Sequence, residues 1–186
     1  MRCWCAVRLS AGILVATGSV SASGAELSAQ PGTVTREEAL ASVFPGATVE
    51  PDRVFLTTEQ RDEIEERARV KVPSRLIARY VATLRGEVVG RAYVDTHVVR
   101  TKRESILISL NADGTVRRID VMAFLEPPDF MASGRWYQQY YGRELNDELS
   151  LRRAIRTIAG ATLTGSATNG AVRRALATDQ MVEAEP

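Results

Sequence analysis

Cysteine is nearly missing from this chain. Only two of its 186 residues are cysteine, Cys3 and Cys5, and histidine occurs once, at His97. A disulfide framework, a cysteine nucleophile and a zinc site built from cysteine and histidine are therefore excluded beyond the first few residues. Charge of one sign is also lacking. Lys and Arg number 24 against 23 Asp and Glu, a formal net charge of +1, which supplies no basic stripe for nucleic acid. The apolar run "LSAGILVATGSV" is too short to cross a bilayer as a helix. No internal repeat and no low-complexity linker divides the chain, so its composition is that of one globular domain.

What is present begins with a leader. "MRCWCAVR" is a short positive stretch, the apolar run follows, and "SASGA" offers small residues for cleavage after Ala25. The order matches a secretory signal peptide over residues 1–25. Its removal takes away both cysteines, Arg2 and Arg8, and leaves 161 residues with 22 basic and 23 acidic side chains, a net charge of −1. Export without disulfides points to a bacterial periplasm and a core that stands alone. Residues 26–34, "ELSAQPGTV", read as a flexible lead-in.

From residue 35 the pattern is α then β. "TREEALASVF" opens on Thr35 with Glu38 three residues on, and "TTEQRDEIEERARV" repeats the device with Thr57 and Gln60. Both have capping-box spacing. Two runs rich in Val, Ile and Tyr follow, joined at Arg85-Gly86-Glu87. A hairpin then turns at Asn111-Ala112-Asp113-Gly114, with Ile106, Ile108 and Leu110 alternating before it and Ile119, Val121 and Ala123 after it. Four strands in succession predict an antiparallel sheet. Pro127 and Pro128 break it. "DELSLRRAIRTI" reads as a short helix with Leu149, Ala154 and Ile155 inward, and residues 178–186 read as a disordered tail. The expected fold class is α+β, a single domain over 35–177 with an antiparallel sheet packed with helices.

The chemistry gathers in "RTIAGATLTGSATNGAVRRAL", Arg156 to Leu176. Small residues precede a helix whose start is expected near Ser166, capped by Ser166 or Thr164, with Arg173 and Arg174 facing solvent. A helix N-terminus offers unpaired N–H groups and partial positive charge to a phosphate. Glycine lets a bulky group approach the backbone, so a large residue at Gly165 is expected to lower ligand occupancy. On these residues alone, a small-residue loop before a capped helix remains the alternative. The lone His97, in a strand and half exposed, lacks a paired nucleophile. Carboxylate pairs such as Glu37-Glu38 lie on solvated helix faces. No residue is assigned a catalytic or metal-binding role.

"GATLT" ahead of a helix resembles the FMN-binding domain family, which includes periplasmic flavoprotein subunits of the sodium-pumping NADH:quinone oxidoreductase and of the Rnf complex. "EEALASVFPGA", "VGRAYVDTHVVRTKRE", "FLEPPDF" and Trp136 with its tyrosines extend the resemblance over about residues 36–177. In that family the threonine after Gly-Ala carries FMN through a phosphoester, installed by a flavin transferase from FAD. The resemblance implies Thr162 as that residue, with Gly160, Ala161, Leu163, Thr164, Gly165, Ser166 and Trp136 about the cofactor. An aromatic wall would suit the flavin ring, and Trp136, Tyr137 and Phe130 are candidates for it, with plain core packing as the alternative for each. It implies a membrane-bound or periplasmic redox partner. Two positions depart from the family pattern. Arg156 stands where an acidic residue is usual, and Ala159 where Ser or Thr is usual. They leave a second reading open, a binding or assembly module of the same fold without flavin.

Overall fold

The computed structural model describes residues 33–184; the leader, most of the lead-in and the last two residues lie outside that range. Both capping boxes form. Thr35 accepts from the Glu38 N–H and Glu38 reaches back to the Thr35 N–H, starting α1 (Arg36–Val43). Thr57 and Gln60 do the same for α2 (Thr58–Ala68). Each box satisfies two helix-end donors that would otherwise need water.

Five strands form one antiparallel meander in the order β1-β2-β3-β4-β5. They are β1 (Thr48–Phe55), β2 (Leu76–Leu84), β3 (Glu87–Val98), β4 (Arg103–Asn111) and β5 (Val116–Phe124). The strand missed from the sequence is β1. Its "TVEPDRVF" carries Pro51 and three charged residues, and it lies at the sheet edge, where a missing N–H costs no ladder bond. The arrangement is the expected α+β sheet packed with helices, with one more strand.

Side chains separate the sheet faces with period two. Ala82, Ala92 and Leu107 face α1, packing on Leu40, Val43 and Phe44. Tyr93, Ile106, Ile108 and Leu110 face the other way, toward Trp136, Tyr140, Ala171, Val172 and Leu176. Gly90 makes the first contact close: a Cβ there would lie 2.4 Å from Phe44 and 2.5 Å from the Leu110 carbonyl oxygen. The second face is covered by the long helix α4 (Thr162–Ala184), which also packs on α2.

Three expectations are corrected here. First, 178–184 is not a tail: it is the last two turns of α4, with Thr178, Asp179 and Met181 buried. Second, "DELSLRRAIRTI" is not a helix. It is a set of turns closed by a Leu151–Ile155 bridge, with Arg152 at φ 67. A left-handed residue there stops helical propagation, while Leu149 and Ile155 still reach the core. Third, Arg173 is buried. Its Nε donates to the Ala68 carbonyl and its Nη1 to the Asn146 and Leu149 carbonyls, so it completes the C-terminal end of α2 rather than facing water. Between β5 and α4 the chain makes a 3-10 turn at Pro128–Phe130 and the four-residue α3 (Gly134–Tyr137). No described helix is long and apolar enough to cross a membrane.

Candidate functional site

The loop before α4 decides the site. Gly160 has φ +78, a conformation that L side chains rarely adopt, and the turn it makes sets Ala161 just ahead of the helix. The Gly165 N–H then donates to the Ala161 carbonyl at 3.1 Å, the first helical bond. The helix therefore starts at Thr162, four residues before the expected Ser166. Neither Ser166 nor Thr164 caps it. The Thr164 hydroxyl is instead taken by the Phe130 carbonyl at 2.7 Å, which ties the first turn of α4 to the 3-10 turn.

Two consequences follow for the threonines. Thr164 is buried and its hydroxyl donates inward. Thr162 is exposed, at the first helical position, and its hydroxyl has no partner among the described residues. The N–H groups of Thr162, Leu163 and Thr164 have no acceptor among the described residues either, because the preceding turn supplies none.

These residues line a cleft of about 240 Å³ together with Gly160, Ala161, Val99, Arg100, Glu126 and Phe130. Val99, Phe130 and Leu163, the last 54 % exposed, supply an apolar wall. Arg100 supplies a cation with no carboxylate partner among the described residues. Glu126 is the carboxylate of the same lining, bonded to the turn that carries Arg100. The N–H groups of Thr101 and Lys102 both donate to it and hold it below the usual carboxylate range. Val99, Arg100 and Glu126 were not singled out in the sequence; they come from the β3–β4 turn and the end of β5, far from the glycine loop.

The remaining sequence candidates lie elsewhere. Ser166 lines a neighbouring cleft of about 280 Å³ that shares Val99 and Leu163 with the first and continues to His97 and Arg174. Gly165 is buried in the helix interior, facing Trp136, Ile158 and Leu151. A bulky residue there presses on the core, so the expectation that it reports on the ligand is withdrawn. Trp136 stacks edge-on against Tyr137 and Tyr140, and its Nε1 donates to the Arg156 carbonyl at 2.7 Å. A buried indole needs that acceptor, and Trp136 is not among the residues that line the Thr162 cleft. The Arg156 backbone is locked further by its N–H donating to Gln139. Its side chain borders a separate cleft with Arg135 and Arg143.

Beneath the two clefts lies a charged cluster that the sequence did not show. Glu104 is 0 % exposed. It accepts from Tyr137 at 3.1 Å and Thr168 at 3.2 Å, and pairs with His97 Nε2 at 2.9 Å. His97 Nδ1 meets Asp95 at 2.9 Å, and Arg174 grips Asp95 with two bonds of 2.9 Å. His97 lies in a strand as expected, in β3, but its side chain is largely buried rather than half exposed. Burial works against its charge, but the bonds to Asp95 and Glu104 outweigh it and raise its pKa to about 9. An unfolded histidine titrates near 6.5. A folded pKa above the unfolded one gives stability that is complete below about pH 6.5 and lost as pH rises through about 9. Melting temperature is therefore expected to fall between those limits, and His97→Gln to flatten that slope. A melting temperature that rises over this range contradicts the charged histidine. Among the described residues no group of three or more His, Cys, Asp or Glu is arranged to hold a metal.

An uncapped helix end with an exposed threonine, a positive-φ glycine before it, an apolar wall and a nearby arginine could receive a phosphate-bearing group. Among known families, the model of the FMN-binding domain matches residues 103–177, from the start of β4 into α4. That match assigns this part of the chain to the FMN-binding domain family, and FMN is the cofactor the family implies. No curated protein and no solved structure matches the chain significantly.

Proposed function

We propose that this chain is an exported electron-transfer flavoprotein that carries one FMN in the Thr162 cleft, joined to the Thr162 hydroxyl by a phosphoester. The observation that carries the reading is the contrast between two threonines in one helical turn. Thr162 is exposed and unpartnered, whereas Thr164 is buried and bonded to Phe130. The free N–H groups of the first turn and Arg100 would hold the phosphate. Val99, Phe130 and Leu163 would shelter the ring. When bound, FMN supplies one- or two-electron transfer, and the protein's share is to hold it and set its surroundings.

The size of the cleft supports a carrier rather than a closed catalytic chamber. At about 240 Å³ it is below the ~300 Å³ at which ligand pockets begin. Part of the cofactor is then left at the surface or in the neighbouring His97 cleft, within reach of a redox partner. That partner is proposed to be a membrane-bound or periplasmic protein, and attachment to be made by a flavin transferase. A tether suits an exported protein, since cofactor lost outside the cytoplasm is not readily replaced.

Protein exported from a host with a flavin transferase should be yellow, keep its colour through denaturation and filtration, and begin at Glu26 on N-terminal sequencing. A colourless protein favours the module without flavin, and one that begins at Met1 contradicts export with cleavage.

A further inference from the structure

Glu126 occupies an unusual position for a carboxylate. It is only 6 % exposed, yet it lines the cleft. One oxygen, Oε1, is committed to protein: the Thr101 N–H donates at 2.6 Å, the Lys102 N–H at 2.7 Å and the Thr101 hydroxyl at 3.3 Å. These bonds fasten the end of β5 to the β3–β4 turn, the two walls beside the glycine loop. The Arg100 N–H adds a weaker contact to the same carboxylate, and none of the three close bonds uses Oε2, so that oxygen keeps acceptor capacity where Glu126 lines the cleft.

We infer that Glu126 is a ligand-reading residue whose Oε2 accepts a hydrogen bond from the hydroxyl-bearing chain of the flavin. The inference rests on the flavin reading above. An ionised carboxylate accepts only, so its partner must be a donor. A phosphate has none to offer at neutral pH and is repelled, which leaves the phosphate to the free N–H groups of Thr162, Leu163 and Thr164 at the start of α4. With the phosphate there, the next segment of FMN is the ribityl chain, and its hydroxyl groups are donors. The ring N3–H lies at the far end of the molecule, beyond a cleft this small. Because Oε1 is already fixed, Oε2 is oriented before the ligand arrives, and little ordering entropy is lost on binding. The cleft thus separates two chemistries, an anion end and an acceptor end, and that fixes which way the ligand lies.

The test uses the protein without flavin, prepared without a transferase, and reads dissociation constants from quenching of flavin fluorescence. Lumiflavin has neither ribityl nor phosphate, riboflavin has the ribityl chain, and FMN has both. Wild type is expected to bind riboflavin more tightly than lumiflavin. Glu126→Gln should weaken riboflavin roughly tenfold or more, the scale of a hydrogen bond to a charged group. Lumiflavin should be unchanged, and FMN should lose less than riboflavin because the repulsion of its phosphate is relieved. Thr101→Val, which deletes only a bond to Oε1, should leave the ratios as they are. Equal wild-type affinity for riboflavin and lumiflavin overturns the inference without any variant, as does a Glu126→Gln protein that weakens all three ligands alike or none. If wild type binds no flavin at all, the flavin reading itself falls. If it binds FMN while Glu126→Gln changes no ratio, only the role of Glu126 falls.

Discussion

Thr162→Ala is expected to abolish the covalent flavin adduct completely, while Thr164→Ala keeps it. In the attachment proposed, Thr162 Oγ forms the new bond to the flavin phosphorus of FAD, its proton goes to solvent, and AMP leaves with the old P–O electron pair. The protein gains one FMN less a water, which mass spectrometry of the denatured chain reads directly. Thr162 has the required exposure and starts the helix whose first N–H groups have no acceptor among the described residues. Thr164 cannot substitute without breaking its 2.7 Å bond to the Phe130 carbonyl and turning a buried side chain outward. Its removal should instead cost on the order of 1 kcal/mol of stability, the worth of one intramolecular hydrogen bond. An adduct that survives Thr162→Ala, or vanishes in Thr164→Ala, reverses the assignment.

Arg156 belongs to the same experiment. Its guanidinium borders the cleft of Arg135 and Arg143, not that of Thr162. Its charge is therefore expected to act on the transferase, which brings an anionic, magnesium-bound donor to the loop, rather than on bound FMN. Co-expression with a transferase should give partial modification of the wild type and fuller modification of Arg156→Asp. The affinity of the folded protein for free FMN should be nearly the same in both. A change in that affinity would place Arg156 in the binding site after all.

Local chemistry was legible and long-range pairing was not. The capping threonines Thr35 and Thr57, the Asn111–Gly114 turn and the Gly-Ala-Thr loop announce themselves within four or five residues, because caps and turns are made by near neighbours. Thr162 came instead from the resemblance of the short Gly-Ala-Thr run to a known family, and its role as attachment residue is a proposal. The other half of the cleft was not legible: Val99, Arg100 and Glu126 lie in stretches that carried the resemblance, but nothing local to them shows that distant turns meet beside the glycine loop. Nor could the sequence show that Thr164 bonds to Phe130, 34 residues away, and thereby leaves the helix to start at Thr162. Glu104 carries no local signal, since its partners His97, Tyr137 and Thr168 come from β3, α3 and α4. Strand β1 was hidden by Pro51 and its charges, which an edge tolerates and a central strand does not.

The end of α4 is the plainest case of that blindness, and it sets the second large expectation. "ATDQMVEAEP" is polar and ends the sequence, so it reads as a fraying tail, but Asp179 within it is 2 % exposed. Its carboxylate takes Arg91 Nε at 2.5 Å, Arg91 Nη2 at 2.8 Å and the Tyr93 hydroxyl at 2.8 Å. Both partners are buried residues of β3. Burial and the Asp179 charge together push the Tyr93 hydroxyl far above its ordinary range, so it remains a donor at any working pH. Asp179→Ala leaves a guanidinium and a phenol buried with their acceptor gone, a class of change that costs about 3–5 kcal/mol. Glu183, which reaches Arg91 Nη1 at 3.3 Å, and the Ala112 carbonyl, which accepts from Arg91 Nη2 at 3.3 Å, moderate this for the guanidinium. The loss should appear as a lower urea midpoint with little change in slope. Truncation after Ala177 should cost at least as much, since it also removes Met181 from the contact with α2. The double replacement Arg91→Met with Asp179→Leu should recover the part of the loss that belongs to Arg91, because an apolar pair needs no partners in a buried site, while the Tyr93 hydroxyl stays without its acceptor. Should Asp179→Ala lie within about 1 kcal/mol of wild type, the helix end is held by packing alone and the pair with Arg91 contributes little.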